Sequence, residues 1–151
     1  MAELATAAYE KFEVSDFEAQ RSGLSYTSDT LALLRKEYPD SAFSLILGAD
    51  SFFEFENWHA PEDICRNARL LVAAREYARE HSSLSEHARH LEERFGARVS
   101  LIPAPLLDIS SMHIRELLAA GKKSAAQYLP AAVYRYIQAE GLYVPEKEGK
   151  L

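Results

Sequence analysis

Apolar and polar positions along the chain switch between a helical and a strand period, and the switches mark the elements. Residues 1–9 are rich in Ala and Leu with no capping residue in front, which predicts a helix that begins in mid-turn. Residues 12–18 alternate with period two and predict a short strand or extended segment, broken at Gly23. A polar turn at 25–29 then supplies several capping side chains, and Leu31, Leu34 and Tyr38 predict a helix over 30–38 that Pro39-Asp40 ends. Residues 43–47 form a brief apolar run between that turn and Gly48, too short for a helix and suited to a buried strand. Residues 51–58 read as helical, Pro61 opens another short helix, and 68–74 form a second strand of buried type closed by Arg75. Leu84, Leu91 and Phe95 among charged residues predict a surface helix over 83–95, ended by Gly96 and followed by a strand at 98–102. An amphipathic helix over 112–120 stops at Gly121, and Pro130 opens a last helix that ends before Gly141.

Strand and helix alternate, so the expected fold class is α/β with a mainly parallel sheet, in one domain spanning 1–151 without repeats or linkers. Ligands of such sheets bind beyond the carboxyl ends of the strands. That rule gathers Gly48-Ala49-Asp50, Arg75 and the loop from Pro103 to Ser111 at one edge, because each follows a predicted strand.

Composition narrows the picture. The 151 residues are 48% hydrophobic and 26% charged, as in an ordinary globular domain. The longest apolar runs fall well short of the roughly 18 residues a membrane span requires. A single cysteine and an N-terminus without a basic flank and apolar run predict a cytoplasmic protein without a membrane partner. Seventeen basic against twenty-three acidic residues, a formal charge of −6, argue against nucleic acid as a partner. A small phosphorylated ligand needs only local donors.

Gly48 permits close backbone approach, and Asp50 just beyond a strand can accept hydrogen bonds from ribose hydroxyls; a tight turn with a helix cap explains the same pair. Ser110 and Ser111 at a helix start, with Arg115 one turn on, make a cradle for phosphates or an ordinary capped helix with a solvated arginine. Trp58, the only tryptophan, lies between Asn57 and His59, where its face can stack on a heterocycle or pack on the core. Arg75 can meet an anion or simply be solvated. His81, His87 and His90 lack the grouping of a metal site, and no metal ligands are assigned. Cys65 has no visible base partner and is not assigned as a nucleophile.

Taken together, Phe12-Glu-Val-Ser-Asp-Phe-Glu, Gly23-Leu-Ser-Tyr-Thr with Thr30-Leu31, Gly48-Ala-Asp, Trp58, Val72-Ala-Ala-Arg75, Asp108-Ile-Ser-Ser-Met-His-Ile-Arg115 and Leu142-Tyr143 resemble, in order and spacing, the bacterial nicotinate-nucleotide adenylyltransferases. The resemblance runs from Met1 to about Val144. It implies a Rossmann-like nucleotidyltransferase with a C-terminal helical pair, moving AMP from ATP, with Mg²⁺, onto nicotinate mononucleotide to give deamido-NAD and pyrophosphate. It further implies that Gly48, Asp50, Ile109, Ser110, Ser111 and Arg115 hold ATP, with Asp50 on the ribose and Arg115 catalytic through the phosphates. Ser25, Tyr26, Thr27, Trp58, His59 and Arg75 would line the pyridine nucleotide pocket, with Trp58 stacked on the ring and backbone N–H groups near Thr27 and His59 receiving its carboxylate.

Two departures from the family pattern change the expectation. Met112 stands where the family usually has Thr or Ser. More importantly, the family's Gly-x-Phe-Asp-Pro and H-x-G-H segment, which binds the ATP phosphates and supplies the principal catalytic histidines, has no counterpart among His59, His81, His87, His90 and His113 or before Gly23. The expectation is a chain without the family's N-terminal strands, impaired in turnover, with an apolar strand edge at 43–47 that favours instability or homo-oligomers. Alternatives are a non-catalytic nucleotide-binding remnant, or a related nucleotidyltransferase for another phosphorylated substrate such as phosphopantetheine or nicotinamide mononucleotide.

Overall fold

The computed structural model describes residues 1–74, 78–105 and 109–144, with the side chains of 78–82 left out. Contacts divide the chain into two compact units: Phe17–Leu106, and Met1–Asp16 together with Leu107–Leu151.

The first of these units is built on the two apolar runs and the segment predicted as a strand at 98–102, which form β1 (Phe43–Gly48), β2 (Ala68–Ala74) and β3 (Val99–Pro103). They pair in parallel in the order β1-β2-β3, with Leu45 opposite Leu70, Leu47 opposite Val72, and Val72 opposite Leu101. Parallel pairing demands a crossover between each strand and the next. The first crossover carries α3 (Ala49–Phe53), a 3₁₀ turn (Phe55–Asn57) and α4 (Pro61–Asn67); the second carries α5 (Ala78–Phe95).

The side chains of Leu47, Leu70, Val72 and Ala74 pack into one core with Phe52 and Phe55 from the first crossover, Ile64 and Cys65 of α4, and Leu84 and Leu91 of α5. The opposite pleat of β1 carries Ser44, Ile46 and Gly48, and Ile46 is 68% exposed. The run at 43–47 is therefore an edge strand with one buried face rather than a strand buried on both. Periodicity cannot distinguish these cases in so short an apolar run.

Before β1, α2 (Thr27–Glu37) starts three residues earlier than its apolar spacing indicates. The turn residues read as caps are its first turn: Tyr26 holds the N-cap backbone position, and Asp29 adds the acidic charge favoured there. Residues 12–18 join no strand among the described residues. Glu18 and Arg21 are instead tied to α2, by Thr30 Oγ1 donating to Glu18 (2.6 Å) and an Arg21–Asp29 ion pair (3.7 Å).

The other unit contains α1 (Ala2–Thr6), α6 (Ser111–Ala119), a 3₁₀ segment (Lys123–Tyr128) and α7 (Ala131–Ala139). Leu118, Ala125, Val133 and Ile137 form its core, with Ala5 packed against it. Gly121 and Gly141 follow α6 and α7 with φ of 64° and 61°, the left-handed conformation that closes helices most cheaply with glycine. The 3₁₀ segment carries no periodic signal in the sequence. Among the described residues, no helix is long and apolar enough to cross a membrane.

Candidate nucleotide site

The polar run Ser25-Tyr26-Thr27 and the dipeptide Trp58-His59 lie more than thirty positions apart, yet they line one open cleft of about 310 Å³ with Ile64 at its base. Packing of α2 on α4 brings the two segments together. Three contacts hold the arrangement. Ser28, 4% exposed, shares a 3.1 Å hydrogen bond with His59 Nδ1. The Tyr26 and His59 rings stack at 4.1 Å with an 18° tilt. Trp58, half-buried, leans on the fully buried Phe55 ring at 5.6 Å.

The turn between His59 and α4 is also constrained. Ala60 adopts φ 48°, ψ 62°, a left-handed conformation costing a non-glycine residue roughly 1–2 kcal/mol. Pro61 follows at the first helical position, where its missing N–H costs nothing. This turn carries the chain from the 3₁₀ segment into α4 and sets His59 against Tyr26.

Sequence reasoning names five of the six residues lining this cleft and misses what fixes them. Ser28 looks like one more polar turn residue, and nothing local marks it as buried. Its partner is 31 positions away, so only the packed fold reveals the contact. Ala60 gives no signal either, because alanine has no preference for the left-handed region.

At the carboxyl end of β1, Gly48 is the N-cap of α3 with φ −76°, and a Cβ there would meet nothing within 4 Å. Neither backbone strain nor neighbouring protein atoms require glycine at this position. Asp50 lies in the first turn of α3 with its side chain exposed, and α3 has no side-chain cap. The capping role that Asp commonly fills is therefore not its role here. Arg75, the remaining candidate in this unit, lies outside the described residues.

In the other unit, Ser110 caps α6 by accepting a hydrogen bond from the His113 N–H at 3.1 Å. Ser111 is the first helical residue, and Ile109, Ser111, Met112 and Arg115 are exposed. Ser111 and Arg115 line a pocket of about 170 Å³ that is otherwise mostly apolar, with Ile114, Leu118 and Tyr143 among its walls. A guanidinium, a hydroxyl and free N-terminal N–H groups thus share one helix end, a combination suited to phosphate oxygens.

Other candidate side chains are engaged in packing. His87 Nε2 lies 3.1 Å from the Phe52 carbonyl, and His90 pairs with Glu56 at 2.8 Å. Cys65 is buried beside Glu62, and desolvation first, then that carboxylate, push its thiol up to about 11. Such a thiol is almost wholly protonated at neutral pH and is a poor nucleophile.

No family model matches the chain. Curated relatives do. A protein of Lachnoclostridium phytofermentans named "Probable nicotinate-nucleotide adenylyltransferase" is 37% identical over 144 residues, 95% of this chain and 71% of that protein. A protein of the same name from Pelobacter propionicus is 35% identical over 95% of this chain and 72% of its own length. Two solved structures of the Plasmodium falciparum nicotinic acid mononucleotide adenylyltransferase, complexed with APC and with NaAD, superpose with TM-scores of 0.62 and 0.61 at 22% identity. Each superposition covers 81% of this chain, which spans about three fifths of each solved protein. The three-stranded parallel sheet with its crossover helices is thus a nucleotidyltransferase fold of Rossmann-like type. By its identity to relatives of which it covers more than two thirds, the chain belongs to the nicotinate-nucleotide adenylyltransferase family.

Proposed function

We propose that the protein transfers the adenylyl group of ATP to nicotinate mononucleotide, giving deamido-NAD and pyrophosphate, and that its 151 residues act as one nucleotidyltransferase domain in the cytoplasm. The observation that carries the reading is the cleft whose walls combine Ser25, Tyr26, Thr27, Trp58 and His59. It offers an indole face for a planar ring and N–H and hydroxyl donors for a carboxylate, the group that distinguishes nicotinate from nicotinamide.

In this reading the pyridine ring stacks on Trp58 and its carboxylate faces the start of α2 and the backbone at His59. Arg75, outside the described residues, is assigned to the pyridine nucleotide by the family resemblance alone. Asp50 accepts hydrogen bonds from the ribose of ATP, and Gly48 lets the nucleotide approach the backbone, which accounts for a glycine that its own conformation does not require. The family resemblance assigns Ile109 and Ser110, together with Ser111 and Arg115, to the adenine and phosphates of ATP. The N–H groups at the start of α6, the Ser111 hydroxyl and Arg115 hold the phosphates.

The reaction forms a bond from a phosphate oxygen of the mononucleotide to the α-phosphorus of ATP and breaks the bond to the leaving pyrophosphate. No covalent intermediate with the protein is needed. Catalysis of this kind rests on in-line positioning and on neutralising charge as it builds on the departing oxygens. Arg115 supplies a fixed positive charge for the second task.

Among the described residues there is no group of three His, Cys, Asp or Glu that could hold a metal ion. In this reading Mg²⁺ would come with ATP and neutralise its phosphates, as it commonly does in nucleotide sites.

The test is an adenylyl-transfer assay on the complete protein, following pyrophosphate release with ATP and nicotinate mononucleotide. Trp58→Ala is expected to raise the KM for the mononucleotide by an amount equivalent to about 1–3 kcal/mol, the loss of one stacking partner, and to leave that for ATP nearly unchanged. An unchanged KM for the mononucleotide would remove Trp58 from the pocket. Failure to release pyrophosphate with that substrate, alongside release with phosphopantetheine or nicotinamide mononucleotide, would assign the chemistry to another acceptor.

A further inference from the structure

At the end of the sheet opposite Gly48 and Asp50, the chain assembles three arginines around one pocket of about 250 Å³. Arg35 comes from the last turn of α2, Arg69 from the second position of β2, and Arg98 from the residue before β3. Ser44 and Asn67 complete its polar wall, and no acidic residue lines it. Ser44 in its wall stands four positions before Gly48 on β1, roughly 13 Å at the rise of an extended strand. This pocket therefore lies away from Gly48 and Asp50.

Register explains why the groups converge. Ser44 and Arg69 are paired positions of β1 and β2, so their side chains leave the sheet on one face. Leu70 is paired with Val99, and its N–H bonds the Arg98 carbonyl at 2.9 Å, which puts Arg98 beside Arg69 on the third strand. Arg35 is fixed by donating to the Ser41 carbonyl, and its guanidinium retains further donors.

Carboxylates outnumber cations in this chain, at net charge −6. Arg21, Arg66 and Arg94 pair with them, through Asp29, Asp63 and Glu56. Among the described residues, Arg35, Arg69 and Arg98 form no ion pair with a carboxylate, as Arg89, Arg115 and Arg135 also do not; the three differ in converging on one concavity. Three like charges facing one concavity repel one another, and a bound anion relieves that repulsion while accepting forked hydrogen bonds. The volume lies below the roughly 300–1,000 Å³ of sites for drug-sized ligands, which limits the occupant to something compact.

We propose that this pocket is a second anion site, taking a small multivalent anion of the condensed-phosphate class. It stands on the arginine geometry and does not depend on the reaction assigned above. The overall negative charge excludes a long polyanion and leaves one short enough to stay within the pocket.

The test uses tripolyphosphate as probe, titrated into the full chain and followed through the arginine Nε–H resonances. The expected result is saturable binding that shifts side-chain signals lost on replacing Arg69 and Arg98, and that weakens as salt is added. Arg69→Gln with Arg98→Gln is expected to weaken binding at this site about tenfold or more, the loss of charge-assisted hydrogen bonds. The paired lysine variants, Arg69→Lys with Arg98→Lys, keep the charge but not the forked donors and are expected to recover only part of the affinity lost in the glutamine pair, read at the Arg35 Nε–H, which separates loss of the site from loss of the fold. Arg66→Ala and Arg115→Ala are expected to leave these shifts in place. No saturable shift in the wild-type chain, an affinity in the double glutamine variant within about threefold of wild type, or abolition of the same shifts by Arg115→Ala would each overturn the proposal.

Discussion

The Tyr26–His59 cleft and the start of α6 carry different halves of the proposed nucleotide chemistry, and they are held in different ways. The cleft depends on contacts between residues far apart in sequence: Ser28 with His59 and Tyr26 on His59. The start of α6 depends on one local bond, from the His113 N–H to Ser110 three residues earlier. A site made by long-range packing inherits the stability of the core beneath it, whereas a capped helix start depends first on its own turn. The cleft should therefore respond to core substitutions, and α6 to substitutions at its cap.

The largest effect expected on this comparison comes from Phe55, fully buried beneath Trp58. Phe55→Ala should destabilise the unit formed by residues 17–106 by about 3–5 kcal/mol, through lost burial and the cavity left behind. It should also disorder the indole while leaving hydrogen exchange in α6 unchanged. Denaturant unfolding with exchange measured residue by residue checks this, and equal loss of protection in both units would erase the distinction.

Smaller effects sharpen it. Ser28→Ala removes a buried hydrogen bond worth about 0.5–1.5 kcal/mol and frees the His59 ring, so mononucleotide affinity should fall with stability. Ser110→Ala removes an N-cap worth about 1 kcal/mol and should fray α6 without touching the cleft. Chemical shifts of the His59 ring and of the α6 amides distinguish the two outcomes. A Ser28 variant that leaves the His59 ring shifts unaltered would show that stacking on Tyr26 alone sets that ring.

The same contrast governs how much was legible in the sequence. Two of the three strands follow from the apolar runs at 43–47 and 68–74, while the third, read at 98–102 with Arg98 and Ser100 in it, is only half-buried and completes the parallel sheet. Gly96, Gly121 and Gly141 mark helix ends through their left-handed backbone, a local requirement that composition exposes directly. The alternation at 12–18 allows a short strand or an extended segment; no ladder forms there among the described residues, and Glu18, with Arg21 beyond it, is tied to α2. The resemblance leads to an apolar edge at 43–47, but the exposure of the Ile46 face is not legible in the run itself, because an apolar run does not say whether anything packs on both faces of its strand.

The candidate site divides along the same line. Residue types and order mark Ser25, Tyr26, Thr27, Trp58 and His59, but their meeting in one cleft and the buried Ser28 behind them are tertiary facts. The basic pocket of Arg35, Arg69 and Arg98 was not legible at all, because strand register, not spacing along the chain, brings its members together. Nor do these 151 residues contain an H-x-G-H. The parts assigned here are those that position substrates, and the histidine chemistry of the family is assigned to none of the five histidines present.

Trp58 is the only tryptophan among the 151 residues, so its emission reports on the cleft without labelling. The most direct measurement is a fluorescence titration of this chain with nicotinate mononucleotide. The account predicts a saturable change in emission that Ser28→Ala weakens and Ser110→Ala leaves intact. A flat titration up to about 1 mM, the upper end of ordinary Michaelis constants, in a chain shown by circular dichroism to be folded, would contradict the assignment of this cleft to the pyridine nucleotide.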